Sequence, residues 1–156
     1  MSDPLVQLLE IELNGSNPDS YEAPFQWRIK LDSLVDFTEP IAISFVWVGS
    51  ASSSEYDQTL DSFDIGPLSR GTTEFVLECD APQVGLVPPS DVLGVTILII
   101  SFQFKQQEFL RVGYYAQVAY FDPHLNQCPP ATVDKTNLGR FIAMPQPVVT
   151  LTPITW

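Results

Sequence analysis

Residues 25–31 read FQWRIKL, in which Phe25, Trp27, Ile29 and Leu31 alternate with Gln26, Arg28 and Lys30. Successive strand residues point to opposite faces, so this stretch predicts a half-buried antiparallel strand. Outward from it, further strand patterns fall over 5–13, 41–48 (IAISFVWV), 73–79 (TEFVLEC), 95–104 and 107–120. Breaks bearing Pro or Gly separate several of them: NGSNPDSYEAP, IGPLSRG, APQVGLVPPSD and DPHLNQCPP. No amphipathic pattern sustains three turns of helix; a turn or two is predicted near 88–93 and 122–127. About seven short antiparallel strands predict an all-β chain, an immunoglobulin-like antiparallel β-sandwich with one or two short helical turns. The closing PQPVVTLTPITW is broken by proline and predicts an edge strand or an arm.

A chain of 156 residues suits one domain, here 1–156. Its 45% hydrophobic content excludes wholesale disorder. Seven Lys and Arg stand against 19 Asp and Glu, a net charge of −12. That exceeds the magnitude of roughly 2–8 that suffices for solubility of a small domain. Affinity for a phosphate backbone comes from Lys and Arg, so direct nucleic-acid binding is not expected. A basic protein partner, steered electrostatically, suits the charge better. Two cysteines make no disulfide framework, and Cys79, alternating with Phe75 and Leu77, reads as a reduced buried thiol. The start MSDPLVQLLEIEL lacks the basic region of a signal peptide, and no apolar run reaches a membrane span. An intracellular, reducing location is expected, and with it Asn14–Gly15–Ser16 reads as a turn rather than a glycosylation site.

Catalytic chemistry finds little support. The one histidine, His124, lies in a predicted turn, and any Ser–His–Asp or Cys–His arrangement would need it. Cys/His metal spacing is absent, and Glu55, Asp57, Asp61 and Asp64 lack the glycine-containing spacing of a calcium loop. No cofactor is expected and the chain does not read as an enzyme. Recognition remains. In GVTILIISF (94–102) both faces of the strand are apolar. A hairpin through 105–107 to QEFLRVGYYAQ (107–117) would gather Val95, Ile97 and Ile99 with Phe109, Arg111, Gly113 and Tyr115 on one face. Leu110, Val112 and Tyr114 then share the other face. An aliphatic patch with Tyr and Arg has the composition of an interface centre. On periodicity alone, a central strand covered on both sides by its own domain is the favoured reading.

Three stretches decide between these readings: WVGSASSSEYDQTLDSFDIGP (47–67), DAPQVGLVPPSDVLGVTI (80–97) and QEFLRVGYY (107–115). They closely resemble the histone chaperone family known as anti-silencing function one, with similarity from about residue 5 to Trp156. The resemblance implies a monomeric, nuclear immunoglobulin-like chaperone of the histone three–histone four dimer that prevents its tetramerisation. The histone-three face implied is Val48, Ala51, Asp57, Val95, Ile97, Ile99, Arg111 and Tyr115, centred on Ile97. A tail of histone four would add a strand along an edge at Pro147, Val149 and Thr150, with Tyr114 lining a nearby pocket. Downstream chaperones (HIRA and the chromatin assembly factor) would meet a second surface including Leu31, Glu39, Asp61, Phe63 and Ile65. Two departures mark this chain: Val148 stands where relatives often have a base, and Pro40 replaces the second acid of that second surface. Many relatives carry a further acidic tail, whereas this sequence stops at Trp156. The alternative from another class is an immunoglobulin-like interaction scaffold with a non-histone ligand.

Overall fold

The strand begun at Phe25 is the middle of a three-stranded sheet in the computed structural model, which describes residues 4–156. In chain order the strands are β1 (Val6–Asn14), β2 (Asp19–Ser20), β3 (Phe25–Ser33), β4 (Ile41–Trp47) and β5 (Gln58–Ile65). Then follow β6 (Gly71–Cys79), β7 (Gly94–Phe104), β8 (Gln107–Tyr120), helix α1 (Pro123–Gln127), β9 (Leu138–Ile142) and β10 (Val148–Leu151). β3 pairs with β1 and β6; the larger sheet runs β2–β9–β8–β7–β4–β5, with β10 also paired to β8. Every pairing is antiparallel. The expected all-β, antiparallel sandwich is what forms.

β3 behaves as its alternation predicts. Phe25, Trp27, Ile29 and Leu31 are buried, while Gln26, Arg28 and Lys30 face outward. Arg28 is held between Glu10, Glu12 and Glu74 from the strands on either side. Across the sandwich the Trp27 ring lies 5.5 Å from Tyr114 of β8 and 6.2 Å from Phe45 of β4. Such aromatic pairs add about 0.5–1.5 kcal/mol each beyond burial, which joins the two sheets at their centre. Cys79 is a buried free thiol, as its alternation predicts, and Cys128 is exposed and free.

Three strands escaped the sequence reading: the two-residue β2, which lies within a predicted break, and β5 and β9, each of these two for a local reason. In β5 the pairing with β4 shifts between Phe45 and Val46, so the apolar period resets and the acids at 61 and 64 disguise it. In β9 a charge sits at a core position. Arg140 is buried, lies 3.7 Å from the Phe25 ring, and donates to the carbonyls of Ser20, Tyr21 and Pro24. Burial pulls its guanidinium down to about 10. Helical turns are also more numerous than expected: besides α1, 3-10 turns occur at 54–56, 84–86, 89–91 and 135–137. The β7–β8 hairpin closes in two residues, Lys105 and Gln106, both with positive φ, one residue fewer than the loop expected.

Candidate functional site

The outer face of the larger sheet is built from cross-strand rows fixed by register. Val46, Ile99, Gly113 and Val148 form one row across β4, β7, β8 and β10. In the next, Ile97 pairs with Tyr115, whose carbonyl accepts from Ala143, while Val48 donates to the Ile97 carbonyl. Val95, Gln117 and Phe141 make the third row. On the polar side lies Ser44, Ser101, Arg111 and Thr150. Opposite them, Leu98, Ile100, Phe102, Leu110, Val112 and Tyr114 are buried between the sheets. The doubly apolar β7 therefore has one face in the core and one on an open sheet, where Val95 is 69% exposed and Tyr115 51%. Ile97 and Ile99 are half-buried by their row neighbours alone.

The structure brings the face residues together. Val48, Val95, Ile97, Ile99, Arg111 and Tyr115 share it. Gln58 pairs with Trp47, so Asp57, just before β5, sits at the same end as Val48. Ala51 lies exposed in the connecting loop. That loop packs tightly: a Cβ on Gly49 would fall 2.4 Å from the Tyr56 carbonyl oxygen. Gly113 has a related role, because a Cβ there would stand 3.0 Å from Cδ1 of Ile97. The missing side chain leaves room for Ile97 to lie across β8.

Phe109 does not belong to this face. A register shift between Phe102 and Gln103 bulges β8, and Phe109 is buried, 4.8 Å from the Trp156 ring. The same bulge carries Glu108 to the outer face, which strict alternation missed. Glu108 accepts from Ser101 Oγ at 2.5 Å and from Nε of Arg111 at 3.0 Å. It thereby orients the guanidinium beside the apolar rows.

The C-terminal edge is more divided. β10 lines the far edge of β8 beside β9, and all four of its residues are exposed. Thr150 falls on the outer face with Arg111. Val149 points the other way, into a groove of about 350 Å³ shared with Pro4, Val6, Leu8, Leu110 and Leu151. Pro147 directly precedes β10 and is half-buried. Tyr114 is a correction: it is 1% exposed, stacks on Trp27, and lines the core rather than a surface pocket. Its hydroxyl is pushed up to about 12 by burial. Of the second surface, Leu31 is wholly buried and offers nothing to a partner. Glu39 is exposed and paired with Lys105 at 3.3 Å. Asp61, Phe63 and Ile65 lie half-buried along β5, with Phe63 set edge-on to Phe45.

The electrostatics are one-sided. Arg28, Lys105 and Arg111 each sit in an ion pair with glutamate, and Arg140 is buried. Of the seven bases, these four leave Lys30, Arg70 and Lys135 to offset the acids. His124 is exposed at the start of α1, and among the described residues no cluster of His, Cys, Asp and Glu could hold a metal.

Comparison with known proteins finds relatives over nearly the whole chain. Residues 3–156 match the family model described as ASF1 like histone chaperone. The chain is 41% identical over 140 residues to Histone chaperone asf1a-B of Xenopus laevis, covering 90% of this chain and 70% of that one. It is 37% identical over 151 residues to Histone chaperone asf1 of Dictyostelium discoideum, covering 97% of each. Against Histone chaperone ASF1B of Homo sapiens it is 38% identical over 140 residues, covering 90% of this chain and 69% of the human one.

Proposed function

This chain belongs to the ASF1 like histone chaperone family, and from that premise we propose that residues 1–156 are a single immunoglobulin-like chaperone core acting on histones in the nucleus. Its client is the histone three–histone four dimer, held so that two dimers cannot join. No covalent step is involved: the protein escorts histones for nucleosome assembly and disassembly, and works as a monomer.

One observation carries the reading. The rows of Val46, Val48, Ile97 and Ile99 form an apolar strip on an open sheet, with the core already complete behind it. A histone-three helix laid there would bury apolar surface at about 25 cal/mol per Å². Arg111, fixed by Glu108, and Asp57 flank the strip and supply directional polar contacts. The net charge of −12 draws a basic client and competes with DNA for it. β10 offers its unpaired edge to a histone-four tail, so Pro147, Val149 and Thr150 take part through backbone and groove rather than as one side-chain face. A hand-off surface for HIRA or the chromatin assembly factor rests on Glu39, Asp61, Phe63 and Ile65, with Pro40 lowering its charge. Nothing in the geometry favours the non-histone scaffold.

Size-exclusion chromatography with recombinant histones three and four tests this. The expected product is a complex of one chaperone with one dimer. Ile97→Arg sets a cation where an aliphatic contact is desolvated, a costly exchange, and is expected to abolish the complex. Undiminished binding by that variant would remove Ile97 from the site.

A further inference from the structure

Beyond Tyr115 the outer face does not end in polar residues. Val95, Gln117 and Phe141 form the next row, and beyond it Ala119 of β8 pairs with Gly139 of β9. The Phe121 ring lies over Gly139 so closely that a Cβ there would stand 2.5 Å from it. Gly139 thus forms a seat for an aromatic ring. Phe121 nevertheless remains 51% exposed and Phe141 44% exposed. With Gln117 and Ala119 these rings line a shallow pocket of about 200 Å³. Neither the family's implied contact residues nor the proposed function uses it.

We infer that this Phe141–Phe121 patch, beyond Val95 of the proposed face, is a second anchor for the same histone dimer, taking the far end of a base-flanked amphipathic helix that starts on Ile97 and Ile99. The inference rests on the client reading above. Three observations favour that occupant. The patch is continuous with the proposed face, row by row on the same side of the same strands. From the Ile99 row to the Ala119 row is three steps along the strand, roughly 20 Å. That length matches roughly 13 residues of helix. The rim is acidic: Asp19 pairs opposite Arg140 beside Phe141, and exposed Asp122 follows Phe121. Arg140, the one base that lines the pocket, is only 3% exposed, so its guanidinium is turned away from a basic client.

The test measures binding of recombinant histone three–four dimer to the whole chain and to Phe121→Ser, Phe141→Thr and Gln117→Arg, with Ile97→Arg alongside. Each aromatic substitution is expected to weaken affinity about tenfold, about 1.4 kcal/mol, equally at low and high salt because the lost contact is apolar. Gln117 is exposed in the middle of the patch, so its substitution leaves the fold alone and serves if an aromatic variant melts early. A cation there is expected to weaken binding at least as much. Wild-type affinity in Gln117→Arg and in both aromatic variants, with Ile97→Arg still inactive, would overturn the second anchor and leave the proposed function standing. Intact binding by Ile97→Arg would instead remove Ile97 from the site and overturn the second anchor with it, since the helix proposed to reach the patch starts there. Sedimentation of the protein alone completes the test: a dimer that Phe121→Ser converts to monomer would make a second copy the occupant and overturn the inference.

Discussion

At position 113 an alanine Cβ would meet Cδ1 of Ile97 at 3.0 Å, and the flexible end of that side chain would give way by a few tenths of an ångström. The glycine is in ordinary extended backbone, so alanine adds no backbone strain and removes some of the unfolded chain's freedom. Gly113→Ala is therefore expected to leave the melting temperature unchanged or slightly higher. Histone affinity is expected to fall about three- to tenfold, because Ile97 is tipped out of its seat and packing tolerates little displacement. Isothermal titration beside a thermal melt checks this, and unchanged affinity would mean that Ile97 needs no such seat. Glu108 works at the same scale by a different means. Its exposed pair with Arg111 contributes little stability, about 0–1 kcal/mol, but it fixes where the guanidinium points.

Elements succeed or fail here by their ends and irregularities. The β7–β8 hairpin turns on Lys105 and Gln106, at φ of 50 and 65, without a glycine. The left-handed region costs a side-chain-bearing residue about 1 kcal/mol that glycine escapes. Gln106→Gly is therefore expected to raise unfolding free energy by about 1 kcal/mol in a denaturant titration, with the Lys105–Glu39 pair kept. A lower midpoint would count against the turn as described. β3 was legible because it alternates over its whole length, whereas β7 is apolar on both faces, so its period left a covered strand open and the Ile97 face rested on the family resemblance. What stayed hidden was whatever interrupts alternation. The β8 bulge turned Phe109 inward and Glu108 outward, the β5 register shift broke its pattern, and Arg140 placed a charge in the core of β9. Tyr114, which alternation sets with Leu110 and Val112 on the face opposite Arg111 and Tyr115, is buried with them, and the resemblance alone had suggested a surface pocket. Phe121 could not be placed from sequence, since its seat on Gly139 depends on a strand 16 residues or more away along the chain.

The whole molecule stores its titratable groups unevenly, and alkaline solution exposes this. Burial pushes Tyr21, Tyr114 and Cys79 up to about 12, with the charge of Asp61 adding to the effect on Cys79. In the unfolded chain the phenols and the thiol release protons near 10 and 9, so stability that is complete below those values is lost as pH climbs toward 12. Arg140 acts in the opposite sense: pulled down to about 10 by burial, it offsets part of that loss as pH climbs above 10. Three groups against one predict a melting temperature that falls steadily from pH 9 to 12, and Tyr114→Phe is expected to flatten part of that fall. A flat profile would place these groups in water. The prolines around β10 have a consequence of another kind. Five exposed residues, the four of β10 and Thr152, lie between Pro147 and Pro153, with Pro145 a little earlier. An unpaired strand edge invites fibril growth, but proline lacks the donor needed to extend a ladder. The edge is thus a ruler: it admits a guest segment of about one short strand and stops copies of the chain from zipping together.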